Sequence, residues 1–420
     1  MEYPKVLVIS NNSFSLSNSN GRTLGLLFKG WPKEKLAQFC ITTDGPDWDI
    51  CDNYFCASDR QVMKNTLTLK GVKRNDLTEY QTATSVPRTK RIKRTPIKSL
   101  IRHFMWRLGI WRRGDFTVWL DAFSPEIVIV QSGDTAFTHD MARGIAAQYR
   151  AKLVFFNTEG IYFLKENYLY KGFCDNIFFP IYHRIYQRSY RQAMQCASYA
   201  FYLNDLIKQD NDSVFDVPGE VIYNTSSLSP TPFVFHQDAP VISYFGNFGY
   251  DRSKVLVEAA DVIKDMSLNT KINVYGKGHP EMEKPLLDCD GIVFHGFVPY
   301  EKIQEIIKSS DLLLHVESQD KKFTESLRYG FSTKIADCLS SGRPFLLYSS
   351  PEIACAKYLI KYDCAWFADT PATLKSSILS IMNDEEERLR RLSNAKTVSA
   401  LNHSLSSNCQ TFQTKLCSLL

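Results

Sequence analysis

The chain has 420 residues, enough for two or three domains that each bury a core of their own. It is 44% hydrophobic and 23% charged with a net charge of +5, which is typical of a soluble globular protein. It has no apolar run long enough for a membrane-spanning helix, and its start, MEYPKVLVIS, lacks the features of a secretory signal. The eleven cysteines form no C-x-x-C pair, which favours reduced thiols in a cytoplasm over a disulfide framework or a zinc site.

The first half alternates short apolar runs with helical patterns, which predicts an α/β domain with a parallel sheet. Buried strands are predicted at residues 5–10, 126–131 and 152–156. Residues 60–96 show no sustained period and are interpreted as a loop-rich insertion. Three prolines with Ser and Thr between them, in residues 226–240, indicate a linker. We therefore place an N-terminal domain at residues 1–228 and the linker at residues 229–239.

Residues 88–113 carry ten Lys or Arg and no acidic residue, whereas the rest of the chain has 40 basic and 45 acidic residues. In the second part of this segment, apolar residues recur at i, i+3 and i+4 opposite basic ones. A basic amphipathic helix is typical of a segment that lies in a membrane interface. The residues predicted to contact an anionic membrane are Arg91, Lys93, Arg94, Arg102, Phe104, Leu108 and Trp111. An ordinary packed surface helix remains the alternative, and nucleic-acid binding is not expected because base-reading motifs are missing.

A second alternation follows the linker and predicts another α/β domain at residues 240–390. Its strands are predicted at residues 241–245, 271–275, 292–294, 312–316 and 344–348, and its helices at 253–266, 300–309, 332–340 and 373–383. Residues 391–420 are predicted to be a helical segment. Two doubly wound halves place ligands at the carboxyl ends of their strands, in the cleft between the halves.

Glycine-containing turns follow three of these predicted strands. Residues 246–252 read GNFGYDR, residues 276–278 read GKG, and residues 294–298 read FHGFV. Glycine lets a backbone approach a phosphate closely, and Arg252 places a cation at the end of the first of these turns. A plain strand–loop–helix turn with a solvated Arg is the alternative for the first run taken alone.

Residues 331–344, FSTKIADCLSSGRP, contain a helix start with an adjacent cation. Ser332 and Thr333 suit a helix N-terminus, whose free N–H groups favour phosphate, and Lys334 adds a full charge there. Asp337 lies three residues later and can face the same way as Lys334. An amphipathic helix with a surface Lys–Asp pair is the alternative.

In this order and spacing, the motifs resemble glycosyltransferase family 4 over nearly all of residues 240–390. The resemblance implies the GT-B fold, which consists of two Rossmann-like, doubly wound parallel-sheet domains facing a cleft, and a nucleotide-diphosphate sugar as donor. It assigns the donor pyrophosphate to Arg252 and Lys334, and the ribose to Asp337. The residues predicted to bind the donor are Gly21, Gly246, Asn247, Arg252, Gly276, Lys277, His295, Ser332, Thr333, Lys334 and Asp337.

The chain departs from the family at two positions. Asn247 replaces the usual Arg, and Tyr329 stands where the family has the first Glu of its E-x7-E motif. Glu317 and Glu325 lie nearby in the sequence without the required spacing. A non-catalytic partner that binds nucleotide sugars therefore remains an alternative, and donor choice is left open.

The first half matches the family more loosely. Gly21 opens a helix after the first strand, and its backbone amide is predicted to meet the donor phosphates unless it belongs to a plain βα turn. Glu159 follows the strand at residues 152–156, where family members have a His-containing turn. Its carboxylate is predicted to steady an oxocarbenium-like transition state or orient the acceptor, with a capping role as the alternative. Asp134 is a weaker candidate of the same kind.

The resemblance implies a retaining glycosyltransferase, with Glu159, Arg252 and Lys334 as its catalytic residues. The expected acceptor is a glycan or lipid-linked saccharide in bacterial envelope synthesis, handled in the cytoplasm at the inner face of the membrane. Neither a metal nor another cofactor is expected, because Arg252, Lys334 and a helix dipole supply positive charge. A sugar-nucleotide epimerase on the same fold remains a rival.

Overall fold

The computed structural model describes residues 2–15, 19–43, 45–74 and 94–420. The chain divides into two compact units, the first formed by Met1–Tyr223 with Leu405–Leu420 and the second by Asn224–Ser404. The sequence placed the end of the first domain at residue 228 and the end of the second at residue 390. Each unit contains a parallel sheet with helices, which confirms the predicted α/β class of two Rossmann-like domains.

The first unit contains a seven-stranded sheet in the part of the chain that the structure describes. Its strands are β1 (Val6–Asn12), β2 (Leu36–Thr42), β3 (Tyr54–Cys56), β4 (Ile127–Ser132), β5 (Lys152–Asn157), β6 (Tyr199–Tyr202) and β7 (Gly219–Val221). Their order is β3-β2-β1-β4-β5-β6-β7, and all neighbours are parallel. The order reverses between β1 and β4, the position at which such sheets bind ligands.

A helix from the end of the chain completes the first unit. The helices of this unit are α1 (Ser19–Leu27), α2 (Asp59–Leu67), α3 (Pro96–Arg107), α4 (Asp115–Phe123), α5 (Ala136–Tyr149), α6 (Asp175–Met194), α7 (Asp205–Asp212) and the terminal helix α16 (Leu405–Cys417). Phe412 and Leu416 of the terminal helix are fully buried in the core, and the ring of Phe412 lies 5.1 Å from that of Phe28. No helix among the described residues is both long and apolar enough to span a bilayer.

Helix α2 lies in the segment that the sequence predicts to be loop-rich. It begins with a capping box in which the Ser58 hydroxyl accepts from the backbone of Gln61 and the Gln61 side chain accepts from the backbone of Ser58. Val62 is the buried residue of this helix, so the apolar periodicity is too weak to identify it. Residues 75–93 of the same segment lie outside the described residues.

The second unit contains a six-stranded sheet within its described residues. Its strands are β8 (Ile242–Gly246), β9 (Ile272–Gly276), β10 (Ile292–Gly296), β11 (Leu312–Val316), β12 (Phe345–Tyr348) and β13 (Trp366–Ala368), and its helices are α8 (Arg252–Asp265), α9 (Pro280–Leu287), α10 (Tyr300–Ser309), α11 (Lys321–Leu327), α12 (Lys334–Ser340), α13 (Ala354–Tyr362), α14 (Pro371–Asn383) and α15 (Glu385–Asn402). The order β10-β9-β8-β11-β12-β13 is parallel throughout. All five predicted strands are present, and β13 was not predicted.

One cysteine pair differs from the predicted set of reduced thiols. Cys40 in β2 and Cys56 in β3 are direct neighbours in the parallel register, and the two are joined by a disulfide bond. Both are buried in the first unit. The prediction of reduced thiols throughout the chain is therefore wrong at this pair, because strand pairing brings together two cysteines whose spacing follows no disulfide pattern.

Helix α3, in the basic segment, is turned differently from the prediction. Arg102 is buried and its Nε donates to Asp59 Oδ1 at 2.6 Å, and Trp111, just after the helix, is completely buried. Both side chains therefore pack inside the unit and not on the lipid-facing surface that the sequence predicts for them. Phe104 and Leu108 are 55% and 63% exposed. Outside the described residues lie two further predicted lipid contacts, Arg91 and Lys93.

Candidate functional site

The strand order of the second unit reverses between β8 and β11, so the loops after these two strands begin side by side. The loop after β8 leads from Gly246 to Arg252, where α8 begins, and Glu317 directly follows β11. Lys334 approaches both Gly246 and Arg252. The structure thus brings three predicted donor residues together at the edge where doubly wound sheets bind ligands.

Arg252 forms a buried ion pair with Glu317. Its Nε and Nη2 donate to Glu317 Oε2 at 2.8 and 2.5 Å, and only 12% of the Arg252 side chain is exposed. Its Nη1 donates to Asn247 Oδ1 at 2.5 Å. Burial alone would lower the pKa of Arg252, but the Glu317 carboxylate more than offsets this effect and raises it. Within this site the charge of Arg252 is therefore already compensated.

Glu317 also contacts His315, which lies in β11. The distance from Glu317 Oε1 to His315 Nε2 is 3.2 Å, and both side chains are buried. Burial lowers the pKa of His315, so the neutral ring donates through Nε2 while Arg252 supplies the counter-charge. Burial also acts to raise the pKa of Glu317, but the contacts with His315 and Arg252 outweigh it and lower that pKa. The carboxylate is therefore held ionised inside the unit.

Lys334, the first residue of α12, has no comparable counter-ion. Its side chain is partly buried, and among the described residues its ammonium has neither a hydrogen-bond nor an ion-pair partner. Burial lowers the pKa of Lys334, and the nearby positive charge of Arg252 lowers it further, while the carboxylates of Glu317 and Asp337 act in the opposite direction without outweighing these effects. A partly desolvated cation without a directly bonded counter-ion favours the binding of an anion beside it.

Two glycines let the backbone pack closely beside this lysine. A Cβ at Gly276 would lie 1.9 Å from the carbonyl oxygen of Gly246, its partner in the sheet register. A Cβ at Gly246 would lie 2.7 Å from the hydroxyl of Tyr244 and 3.4 Å from Cε of Lys334. Position 276 therefore requires glycine, because the close atom belongs to the backbone, whereas a side chain at position 246 would displace the Tyr244 hydroxyl and press against Lys334.

Asn247 shapes the loop that carries Arg252. Its Oδ1 accepts from Arg252 Nη1 and, at 3.2 Å, from the backbone N–H of Gly249. At the start of α12, Thr333 is the N-cap residue but its side chain makes no capping hydrogen bond, and Ser332 Oγ accepts from the backbone N–H of Lys334 at 3.4 Å. Asn247 thus positions Arg252. Contacts of Asn247, Ser332 and Thr333 with a sugar-nucleotide donor stay a prediction.

Asp337 is buried and satisfied by two hydroxyl groups. Its Oδ1 accepts from Ser226 Oγ at 2.6 Å, and its two oxygens lie 3.0 and 3.1 Å from the hydroxyl of Tyr300. Ser226 and Tyr300 were not predicted, because they are distant from Asp337 in the sequence. Recognition of a ribose by Asp337 stays a prediction, and it requires these hydroxyls to share the carboxylate.

His295 lies in the edge strand β10, and Lys277 directly follows the neighbouring strand β9. The ring of His295 stacks on that of Tyr275, with centroids 4.4 Å apart and planes inclined by 8°. The Nε2 atom of His295 lies 2.9 Å from Asn273 Oδ1, and both His295 and Lys277 are exposed. The stacked pair gives this end of the sheet a flat aromatic surface.

No carboxylate comes from position 329. Tyr329 is buried, and its ring lies 5.4 Å from the guanidinium carbon of Arg328. The carboxylate that reaches the site belongs to Glu317, which directly follows a buried strand. The position of Glu317 directly after a buried strand was the feature of the sequence that could have identified it as a site residue. Glu317 was not predicted because it lacks the spacing of the family's E-x7-E motif.

In the first unit, Gly21 lies in the first turn of α1. A Cβ at this position would lie 2.2 Å from the carbonyl oxygen of Ser13 and 3.0 Å from the backbone nitrogen of Ser15. Glycine is therefore required for α1 to pack on the loop after β1. The predicted contact of the Gly21 amide with phosphate stays a prediction.

Asp134 and Arg94 form an ion pair at the point where the strand order of the first unit reverses. Arg94 Nη1 donates to both carboxylate oxygens of Asp134 at 2.7 Å, and Asn11 Nδ2 donates to Oδ1 at 3.3 Å. Burial acts to lower the pKa of Arg94, but Asp134 outweighs it and raises that pKa. Arg94 thus engages a carboxylate, whereas the sequence predicts a lipid contact for it.

Glu159, after β5, completes a group of ionisable side chains with this pair. Although the residue keeps an exposed surface, the surrounding protein desolvates its carboxyl group and, together with Asp134, raises its pKa to about 7. Arg94 acts in the opposite direction. The buried hydroxyl of nearby Tyr168 has no hydrogen-bond partner among the described residues. A carboxyl group that titrates near neutrality beside an unsatisfied hydroxyl suits the binding of a polar ligand.

Residues 239–384 match the family model of the group 1 glycosyl transferases, so the second unit contains a domain of that group. This finding confirms the resemblance that the motifs of the second half predicted. No curated protein matches the sequence at a significant level.

Solved structures resemble this chain in fold over nearly its whole length. HepE from Anabaena, in complex with UDP, is 12% identical, with 99% of this chain and 100% of that chain covered and a TM-score of 0.63. Sucrose-phosphate synthase from Thermosynechococcus elongatus is 9% identical over 99% of each chain, with a TM-score of 0.64. A putative UDP-N-acetylglucosamine 2-epimerase from Listeria monocytogenes is 12% identical over 99% of this chain and 96% of that chain, with a TM-score of 0.54. The predicted GT-B fold is confirmed.

Proposed function

We propose that this chain, whose second unit is a group 1 glycosyltransferase domain, transfers a sugar from a nucleotide-diphosphate donor to a glycan or lipid-linked saccharide. The observation that carries the proposal is the ammonium of Lys334, which lies partly buried against Gly246 and forms no ion pair or hydrogen bond with any described residue. A diphosphate is an anion of the size and charge that such a site favours. The UDP held by HepE supports a nucleotide diphosphate as the donor group.

The two cations of the site have different parts in the proposed reaction. The leaving nucleotide diphosphate gains negative charge as the glycosidic bond breaks, and a cation already in place stabilises that charge without reorganisation. Lys334 brings a charge that is not engaged in an ion pair among the described residues, while Arg252 is oriented by Glu317 and Asn247 and adds hydrogen-bond donors. We propose that these side chains act without a metal ion and that the sugar is transferred with retention, as the family resemblance implies.

Binding of nucleotides is the direct test of this proposal. We expect one of UDP, GDP or ADP, or the corresponding sugar nucleotide, to raise the melting temperature of the protein. A ligand at about 100 times its Kd adds roughly 2.7 kcal/mol to the free energy of unfolding. Differential scanning fluorimetry with inorganic phosphate as the control separates specific binding from a general anion effect. Equal shifts with phosphate and with all nucleotides would contradict a donor site.

We further propose that Glu159 orients the hydroxyl group of an acceptor saccharide in the first unit. Its carboxyl group lies among Asp134, Arg94 and Tyr168, which offer both acceptors and donors to sugar hydroxyls. An ionised carboxylate accepts a stronger hydrogen bond from the acceptor hydroxyl than a protonated carboxyl group, which keeps a single weaker acceptor oxygen. We therefore expect the ionised form to be the more active one.

The pH dependence of turnover tests this role. Because the pKa of Glu159 is raised to about 7, the active ionised form increases with pH, so kcat/KM should rise through pH 7 and level off above it. In Glu159→Gln we expect turnover to fall roughly 10²-fold and this rise to disappear. Glu166→Gln, an exposed acidic residue of the following loop, is the matched control and should keep the wild-type profile. An unchanged profile in Glu159→Gln would remove Glu159 from the reaction.

An epimerase is the second candidate, favoured by the fold shared with the Listeria protein. Such an enzyme would convert one sugar nucleotide into an isomeric sugar nucleotide and release it, without needing an acceptor. Analysis of the products with and without a saccharide acceptor distinguishes the two reactions. Binding of a nucleotide with neither product would instead indicate a non-catalytic partner.

A further inference from the structure

Two helices of the first unit that pack against each other, α3 and α6, both expose large apolar side chains. Helix α3 packs directly against α6, and the segment before α6 adjoins the start of α3, because the backbone N–H of Tyr170 donates to the carbonyl of Arg94 at 3.0 Å. The exposed side chains of this region, which we name the apolar surface, are Ile101, Phe104, Leu108, Phe173, Ile177 and Ile181. Phe173 is 80% exposed. Isolated exposed apolar residues are ordinary, but a group on adjacent helices indicates a binding surface.

The exposed charged residues of α3 and α6 are basic. The exposed basic residues around the apolar surface are Lys98, Arg107, Lys171, Arg184 and Arg188. Helix α3 contains no acidic residue, and Asp175, the acidic residue of α6, accepts through Oδ2 from the backbone N–H of Gly172 and from Asn167. The basic residues 88–93 immediately precede this region in the sequence. Exposed apolar side chains within a rim of Lys and Arg are complementary to an anionic lipid surface.

We propose that the apolar surface binds the headgroup region of an anionic membrane. Phe104, Ile177 and their neighbours enter the boundary between headgroups and acyl chains, while the basic side chains extend to the lipid phosphates. This surface differs from the one that the sequence predicts, since α6 contributes to it and Arg102 and Trp111 do not. The proposal concerns the first unit alone and does not depend on the donor site.

Vesicle sedimentation of the full chain tests the proposal. We expect the protein to pellet with vesicles of phosphatidylcholine mixed with phosphatidylglycerol, to stay in solution with phosphatidylcholine alone, and to be released by salt. The variant Phe104→Ser/Ile177→Ser should bind the mixed vesicles at least about tenfold more weakly, because each exposed apolar side chain loses its burial. The variant Arg184→Ser/Arg188→Ser should bind the mixed vesicles more weakly than the wild type at low salt, with no difference between the two at high salt.

Leu389→Ser/Lys396→Ser, which changes an exposed apolar and an exposed basic residue of α15, is the matched control and should bind like the wild type. Thermal stabilisation by nucleotide should be unchanged in every variant, so loss of membrane binding and failure of the donor site are measured separately. Equal binding to both vesicle types, or unchanged binding by Phe104→Ser/Ile177→Ser, overturns the proposal. A dimer in analytical ultracentrifugation that this variant converts to a monomer also overturns it, because the surface would then join two copies.

Discussion

Replacing Lys334 by alanine is expected to lower kcat/KM roughly 10²- to 10³-fold, as loss of one preorganised charge contact does in other enzymes. The free energy of unfolding should stay unchanged or increase. Burial lowers the pKa of Lys334, so the folded protein already works against this charge, and removing it relieves that cost. Steady-state kinetics and chemical denaturation of the same preparation measure both quantities.

Two further variants show whether the charge or the packing of Lys334 matters. Lys334→Met keeps an unbranched side chain against Gly246 without the charge and should be as inactive as Lys334→Ala. Lys271→Ala removes an exposed lysine of the same unit that directly precedes β9, and it should keep wild-type kinetics. Turnover of Lys334→Met within a few-fold of the wild type would contradict the assignment of the donor diphosphate to this residue.

The site in the second unit shows what local sequence can and cannot predict. Glycine after a strand and a lysine at a helix start are local patterns, and the structure brings Gly246 and Lys334 together. The partner of Arg252 lies 65 positions later in the sequence, so only the pairing of β8 with β11 brings Glu317 to it. The hydroxyls that hold Asp337 belong to Ser226 and Tyr300, which lie 111 and 37 positions before it in the chain. Partners brought together by sheet topology leave no local signal.

Helix α3 shows a second limit. Its periodicity predicts an amphipathic helix, but a stripe of apolar residues does not identify which residues meet the protein and which meet solvent. In α3 a carboxylate distant in the sequence determines which side of the helix faces the protein, because Asp59 Oδ1 accepts from both Arg102 Nε and Trp106 Nε1, at 2.6 and 2.8 Å. These contacts turn the arginine inward and leave Phe104 exposed. The strand segments were easier to predict, since strands buried on both faces are continuous apolar runs.

Replacing Glu317 by alanine is expected to produce the largest loss of stability. The variant leaves the guanidinium of Arg252 buried without its counter-ion, and breaking a buried pair in this way costs about 3–5 kcal/mol. Glu305→Ala, which removes the carboxylate of an exposed pair with Lys302, is the matched control. It should leave the free energy of unfolding nearly unchanged, because solvent screens an exposed pair. Urea denaturation of both variants measures the difference.

A double variant and the pH dependence show that the effect comes from the ion pair. Arg252→Ala in the Glu317→Ala background should recover part of the lost stability, because no unpaired charge then remains buried. The pKa of Glu317 is lowered in the folded protein, although burial alone would raise it, so its contribution is complete above the ordinary value of 4.5 and is lost as the pH falls below that value. Glu317→Ala should therefore lose less stability than the wild type on acidification. Additive effects of the two substitutions, with parallel pH profiles, would show that the buried pair does not stabilise the unit.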